Sequence, residues 1–151
     1  MKRLLSVTAV ALALAAIPAT AQTTLNVVTA GDQNMVDYVN NYLAPKFEAM
    51  NPGVKVRAVG TGPGDAGSQK IYEKLSAQQK AGTAAWDTDV AVVHQRGAAT
   101  MVNEKLLMPY RNDIAAGKLV SRDTAKNALG ANVDGYVLPM FHSQIAFAYN
   151  P

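Results

Sequence analysis

The stretch from Val54 to Lys70, VKVRAVGTGPGDAGSQK, constrains the fold of this chain more than any other. Its first six residues are mostly apolar and β-branched, and they predict a strand. A glycine-rich segment follows, after which we expect a helix over residues 68–79 with Ile71 and Leu75 facing inward. A strand that leads through a glycine loop into a helix is typical of α/β folds. The stretch therefore predicts an α/β protein with binding groups at the carboxyl end of a strand.

Strand-like and helix-like segments alternate along the rest of the chain. The predicted strands are 25–29, 54–59, 89–93, 135–140 and 144–149. The predicted helices are 35–50, with a break or kink at Pro45, then 68–79, 96–102 and a weaker one over 121–129. Strand 54–59 has one polar face and should lie near a sheet edge, whereas the apolar run 89–93 is typical of a strand buried on both faces. The order predicts a mostly parallel sheet flanked by helices.

Ligands of parallel α/β sheets bind outside the carboxyl ends of the strands. The segments expected at that edge supply the candidate ligand-binding residues Gly31, Asp32, Gln33, Gly64, Asp65, Gly67, Ser68, His94, Gln95, His142 and Ser143. Free N–H groups at a helix start, close backbone approach at glycines and the Ser68 hydroxyl would suit an acceptor-rich ligand. Asp65 would favour a ligand with donors if it caps the helix and occupies the anion position. A glycine-rich connector without ligand contact is the alternative.

Residues 62–67 match G-x-G-x-x-G, so a dinucleotide site has to be considered. The ribose-binding acid of such a site lies at the carboxyl end of the next strand. Here Asp87 and Asp89 stand at the start of that strand, which argues against a dinucleotide. A P-loop is also disfavoured, because Ser68 and Gln69 follow where Lys and Ser or Thr are required. We therefore expect no cofactor.

His94 and His142 are equally open to a structural role and to a ligand contact. Two histidines without a third ligand do not make a metal site, and His142 with Ser143 lacks a nucleophile elbow. An exported enzyme that acts on a small anionic substrate, with either histidine as general base, remains an alternative function. Trp86 is expected to pack under the sheet, although an exposed indole could stack on a sugar.

The N-terminus has the three parts of a secretory signal peptide in order. Lys2 and Arg3 precede the apolar run 4–17, and residues 19–21 form an A-x-A cleavage site, so the mature chain should begin at Gln22. Cleavage would remove two of fourteen basic residues and none of the eleven acidic ones, which lowers the formal net charge from +3 to +1. Such a balance gives no basic patch for nucleic acid. The absence of cysteine excludes disulfides and thiolate chemistry.

Several segments in a fixed order also resemble a known family. They are Asn26–Val28, Phe47–Val56 (FEAMNPGVKV), Trp86–Val90, Asp134–Pro139 and Ile145–Asn150, which includes A-Y-N. Over essentially the whole mature chain, this pattern resembles the N-terminal lobe of a bacterial extracellular solute-binding protein, the periplasmic receptor of an ABC importer. The resemblance implies a non-catalytic, two-lobed α/β fold of type II that closes on a small solute and meets membrane permease subunits.

The resemblance also implies a domain plan. We expect a signal peptide over 1–21, a solute-binding lobe over 22–143 and the start of a crossover strand over 144–151, with a hinge near 142–145. The chain stops at Pro151, where the second lobe of the family should begin, so we expect a fragment of a receptor that is monomeric at full length. Without its partner lobe, the apolar strand 144–149 should make the fragment marginally stable or prone to aggregation.

Overall fold

The computed structural model describes residues 22–141 and shows a three-stranded parallel sheet flanked by helices. The strands are β1 (Thr23–Thr29), β2 (Val54–Gly60) and β3 (Val90–Val92), in the order β2-β1-β3. The register aligns Thr29 with Gly60 and with Val92, so all three strands end at one edge. This arrangement confirms the predicted α/β class and parallel sheet.

The two outer strands fulfil their predictions differently. Strand β2 forms one edge of the described sheet, as its polar face suggested. Strand β3 forms the other edge, has only three residues, and leaves Val90 43% exposed. The prediction of a strand over 89–93 that is buried on both faces is therefore wrong for the described part of the chain. Ala91 and Val92 pack against the cores on opposite faces of the sheet, but both stay half-buried.

The helical segment between β1 and β2 is continuous and contains one wide turn. It consists of α1 (Gln33–Tyr38), a π-helical turn (Val39–Leu43) and α2 (Ala44–Met50). In the wide turn, the N–H of Ala44 donates to the carbonyl of Val39, five residues earlier. Pro45 has no N–H to donate and lies in the first turn of α2, so the backbone widens before it instead of breaking. Asp32 is the N-cap residue of α1, but its side chain makes no capping bond.

Helices α3 (Gly64–Lys80) and α4 (Gln95–Asn103) pack together on the other face of the sheet. The predicted inward side chains of Ile71 and Leu75 are buried there, at 2% and 4% exposure. They join Val28 and the fully buried Met101 in the main core cluster. A second cluster on the α1 side contains Val27, Val39 and Ala58. None of the helices in residues 22–141 is long and apolar enough to cross a membrane.

The segment after α4 departs most from the sequence prediction. Only a 3₁₀ turn, Asp123–Lys126, stands where a helix over 121–129 was expected, and it leads into the short pair β4 (Asn127–Ala128) and β5 (Ala131–Asn132). A turn and coil replace the predicted strand 135–140, and the predicted strand 144–149 lies outside the described residues.

Local contacts tie this segment together in place of regular structure. Arg111 pairs with the carboxylate of Asp134 and also donates to the carbonyl of Gly117. The backbone N–H of Tyr110 donates to the carbonyl of Gly135 at 2.8 Å. A second 3₁₀ turn, Ala115–Leu119, lies within the same segment. These tertiary contacts override the weak helical and strand propensities of the local sequence.

Candidate functional site

Three loops meet at the carboxyl edge of the sheet, as the parallel order requires. The carbonyl of Thr29 accepts bonds from the Thr61 N–H at 2.9 Å and the Thr61 hydroxyl at 3.1 Å, which ties the loop after β2 to the end of β1. The N–H of Ala30 donates to Val92 at 2.8 Å, which ties the end of β1 to β3. These bonds bring the candidate residues of segments 31–33, 64–68 and 94–95 to one edge.

The glycine loop is shorter than the sequence suggested, because α3 begins at Gly64 rather than at Ser68. The N-cap residue is Pro63, and no side chain caps the helix, so Asp65 does not act as a cap. Gly62 makes the turn from β2 with a φ of +98°, a conformation that L side chains rarely adopt. The segment 64–68 therefore belongs to the helix, and only residues 61–63 form a loop.

Ser68 lies in the second turn of α3 and is 1% exposed. Its hydroxyl oxygen accepts the backbone N–H of His94 at 2.9 Å and lies 3.4 Å from the carbonyl of Gly64. The ligand contact predicted for Ser68 has no direct test, but this burial argues against it. The observed contact is structural, because it holds the loop before α4 against α3.

Two glycines of this region serve close packing. A Cβ on Gly67 would lie 1.9 Å from the carbonyl oxygen of Gly62, and one on Gly97 would lie 2.8 Å from the Cβ of Ser68. Side chains at these positions would push the loop away from α3, and α4 away from α3. The last glycine of the G-x-G-x-x-G match is thus explained by packing alone.

Charged side chains of both signs stand on the same edge. Asp65 accepts a bond from the Nε of Arg96 at 3.2 Å, and both side chains are mostly exposed, at 60% and 74%. Lys70 reaches back from α3 and donates from Nζ to the carbonyl of Thr61 at 3.2 Å. Such an exposed ion pair contributes little to stability and leaves both groups free to exchange partners.

Sequence reasoning missed Arg96 and Lys70 as residues of this edge. In a helix that starts at Gly64, Lys70 lies four residues after Ala66 and therefore on the same face as this residue of the first turn. The predicted start at Ser68 concealed this relation. Arg96 adjoins the predicted pair at 94–95 and lies in the first turn of α4.

The remaining predicted residues at this edge are accessible. Asp32, Gln33, His94 and Gln95 are exposed, and Gly31 is half-buried. His94 is the N-cap residue of α4 with an extended backbone, so the first N–H groups of α4 face the same edge. His142 and Ser143 lie outside the described residues.

A shallow groove of about 300 Å³ lies between α3 and α4 beside this edge. It includes Asp65, Ser68 and Arg96 but none of the predicted residues 31–33 or 94–95. Tyr72 also lines it and donates its hydroxyl to both carboxylate oxygens of Glu104, at 3.0 and 2.9 Å. This bond to the carboxylate raises the pKa of the Tyr72 phenol. The groove therefore contains only some of the predicted ligand-binding residues.

The opposite end of the sheet holds the acids that a dinucleotide site would need. The N–H of Asp89 donates to the carbonyl of Asn26, and its carboxylate accepts the Asn26 N–H at 2.7 Å, three positions before the end of β1. Asp87 pairs with Lys74 at 2.8 Å, and this contact lowers the pKa of the Asp87 carboxyl. Three strand positions are about 10 Å, so these carboxylates are far from the glycine loop. Trp86, 39% exposed, precedes them and is less covered than expected.

Within residues 22–141, no group of three or more His, Cys, Asp or Glu side chains is placed to hold a metal ion. Comparison with known families gives one match. The model of the family "bacterial extracellular solute-binding protein" matches residues 32–151. No curated protein matches the chain. The family match begins within the first of the three loops, at Asp32, and covers the other two loops together with β2 and β3.

Proposed function

Because the chain belongs to the family of bacterial extracellular solute-binding proteins, we propose that it is a periplasmic receptor that delivers a small solute to an ABC importer without catalysing a reaction. The observation that carries the proposal is the meeting of three loops at the carboxyl edge of the parallel sheet. Thr61 and Val92 bind the end of β1 there, which fixes those loops relative to each other. Open α/β sheets bind ligands at such an edge.

The edge would form one wall of a solute cleft. Its accessible side chains, Asp32, Gln33, His94 and Gln95, offer hydrogen-bond donors and acceptors together. The N-terminal N–H groups of α4 add donors. Since Asp65 is already paired with Arg96, the wall carries no dominant charge of one sign. This mixture supports a polar solute with both donors and acceptors over a simple anion.

The wider receptor plan belongs to the same proposal. Export through the predicted signal peptide over 1–21 would place the protein in the periplasm. A lobe over 22–143 and a crossover from 144 would lead to a second wall, with a hinge near 142–145. His142 and Ser143 would then contact solute at the hinge, and permease subunits would receive the closed, monomeric receptor.

Solute binding is tested by thermal denaturation of the whole gene product with a panel of polar small molecules. A solute at one hundred times its Kd should stabilise the protein by about 2.7 kcal/mol. Mass spectrometry of material co-purified from the periplasm would supply candidates. Asp32→Asn and Gln95→Ala should each weaken binding, whereas Asp113→Asn, an exposed acid outside the three loops, should not.

Two outcomes would contradict the receptor proposal. One is a protein that neither co-purifies with a solute nor gains stability with any compound of the panel. The other is a bound solute whose affinity is unchanged by both edge substitutions, since binding would then lie elsewhere on the molecule.

The enzyme alternative has less to support it. A general base needs a group that orients it. Within the described residues, no side-chain hydrogen bond involves the ring of His94, and the nearby carboxylate of Asp65 is paired with Arg96. A measured turnover that His94→Ala abolishes while solute affinity stays unchanged would favour the enzyme over the receptor.

A further inference from the structure

The outer edge of β2 should be an open template for another strand. In a parallel sheet each residue directs both its N–H and its C=O to one side, and alternate residues therefore face outward. The carbonyl of Gly53 and the N–H of Thr61 bond to β1. By this alternation, Val54, Val56 and Ala58 face away from β1. Unpaired groups on an edge strand are what a second chain needs for edge-to-edge pairing.

Asn40 binds the last of these three outward positions, Ala58. Its Nδ2 donates to the carbonyl of Ala58 at 3.1 Å, and its Oδ1 accepts the N–H of Ala58 at 2.9 Å. A carboxamide carries the same donor and acceptor as a peptide group. Asn40 therefore makes both bonds that a neighbouring strand would make to Ala58. Ala58 itself is only 5% exposed.

Glu48 binds at the neighbouring outward position, Val56. Its Oε1 accepts the N–H of Val56 at 2.9 Å, while Oε2 accepts Nζ of Lys55 at 2.7 Å. The N–H of Val54 donates to the carbonyl of Asn51 at 3.1 Å. Three successive outward N–H groups of β2 are thus bound by the helical segment that precedes the strand.

The wide turn explains how both side chains reach the same edge. Eight residues of regular α-helix rotate the chain by about 800°, which would leave positions 40 and 48 about 80° apart around the axis. The π-helical turn Val39–Leu43 absorbs one extra residue, or about 100°, and brings the two positions to within about 20°. Pro45 directly follows this turn and cannot donate the bond that a regular helix would need there.

We propose that Asn40 and Glu48, aligned by the π-helical turn, guard the outer edge of β2 so that a second copy of this chain cannot add a strand there. The sequence of the strand makes such protection necessary, because VKVRAVG is rich in β-branched residues and has no proline. The guard is independent of which solute the protein binds.

The test replaces Asn40 with alanine in the whole chain and measures mass by sedimentation at increasing protein concentration. About 0.5 M salt screens repulsion between the Lys55 and Arg57 charges of two copies. Asn40→Ala should form dimers or larger species, whereas the wild type and Asn41→Ala should stay monomeric. Asn41 lies in the same wide turn, is exposed, and makes no side-chain hydrogen bond among the described contacts.

Hydrogen exchange and a second substitution identify the surface involved. The Ala58 amide should exchange quickly in monomeric Asn40→Ala and slowly in its dimer. Adding Ala58→Pro removes the outward N–H that Asn40→Ala frees for an incoming strand, and proline is tolerated on edge strands. The double variant should therefore return to the monomeric mass.

Several results would overturn the proposal. They are a folded Asn40→Ala that stays monomeric at all concentrations, association that Ala58→Pro does not reverse, and a wild type that already pairs through β2. If Asn40→Ala fails to fold, Glu48→Ala is measured instead. A folded, associating Glu48→Ala supports the guard, and a monomeric one refutes it. Failure of both variants to fold would make these bonds a requirement for folding and not a guard.

Discussion

Replacement of Ser68 by alanine tests whether its hydroxyl has a structural role or binds a ligand. In the structure, the hydroxyl accepts the N–H of His94 at 2.9 Å inside a region where Ser68 is 1% exposed. The alanine variant removes this acceptor and leaves the His94 N–H without a partner. Gly97 packs closely against Ser68, since a Cβ at position 97 would lie 2.8 Å from the Ser68 Cβ.

The size of the effect follows from these contacts. Loss of a partner for this part-buried N–H costs about 1–3 kcal/mol, and the better helix propensity of alanine returns about 0.5 kcal/mol. We therefore expect Ser68→Ala to lower the free energy of unfolding by about 0.5–2.5 kcal/mol, with a central value of about 1.5 kcal/mol. For a folded region of this size, that loss corresponds to a fall in Tm of about 4–8 °C.

Thermal denaturation followed by circular dichroism measures this change, and hydrogen exchange should show a faster amide at His94. Ser76→Ala is the matched control, because Ser76 is a buried serine two turns later in α3 whose hydroxyl makes no bond to another element among the described contacts. Its Tm should change little, within about 0.5 kcal/mol of free energy. An unchanged Tm for Ser68→Ala together with a loss of solute binding would refute the structural role and restore the ligand contact.

Three other substitutions test the packing and electrostatics of the described region. Gly67→Ala should destabilise the protein by about 2–3 kcal/mol in denaturant unfolding, because the new Cβ would overlap a carbonyl oxygen. Met101→Ala should cost about 2–5 kcal/mol in the same assay, since Met101 is fully buried, whereas Met108→Ala, at an 83% exposed position, should be nearly neutral. For Glu48, the bond to Lys55 and the Val56 N–H lower the carboxyl pKa below 4.5. Its charged form therefore stabilises the fold above pH 4.5, and the advantage of the wild type over Glu48→Gln should vanish as pH falls through the lowered pKa.

Each of these expectations has a contrary result. A neutral Gly67→Ala would mean that the loop at Gly62 moves freely away from α3. Equal costs at Met101 and Met108 would contradict the assigned core. A stability difference for Glu48→Gln that persists unchanged in acid would show that the carboxylate charge does not contribute.

The order of elements was predictable because it depends on local periodicity. Ile71 and Leu75 repeat at helical spacing and are buried, and the β-branched run at 54–59 forms β2. Parallel pairing then follows from helices placed between strands. The weak segments failed for the complementary reason. Residues 121–129 and 135–140 have little periodicity, and long-range bonds such as that of Tyr110 to Gly135 decide their structure.

The candidate edge was predictable in position but not in the part that each residue takes. Topology alone placed residues 31–33, 64–68 and 94–95 together, and the bonds between the three loops agree with it. The sequence alone could not show whether a glycine is needed for the close approach of a ligand or for the close packing of a helix. The structure shows close packing of Gly67 against the Gly62 carbonyl and a bond from the His94 N–H to the buried Ser68 hydroxyl, whereas the ligand contacts stay predictions.

The same limit explains why Asn40 was not predicted to have any special role. An asparagine within a helical pattern usually indicates only a tolerated polar residue. Its contact with Ala58 depends on a wide turn, and that turn depends on Pro45, which the sequence suggested would break the helix. The roles of Pro45 and Asn40 are linked, because the wide turn beside the proline rotates the helix so that the Asn40 carboxamide reaches the edge of β2. A sequence pattern read one residue at a time cannot show this relation. It becomes visible when the partner of each backbone N–H and C=O group is identified in the structure.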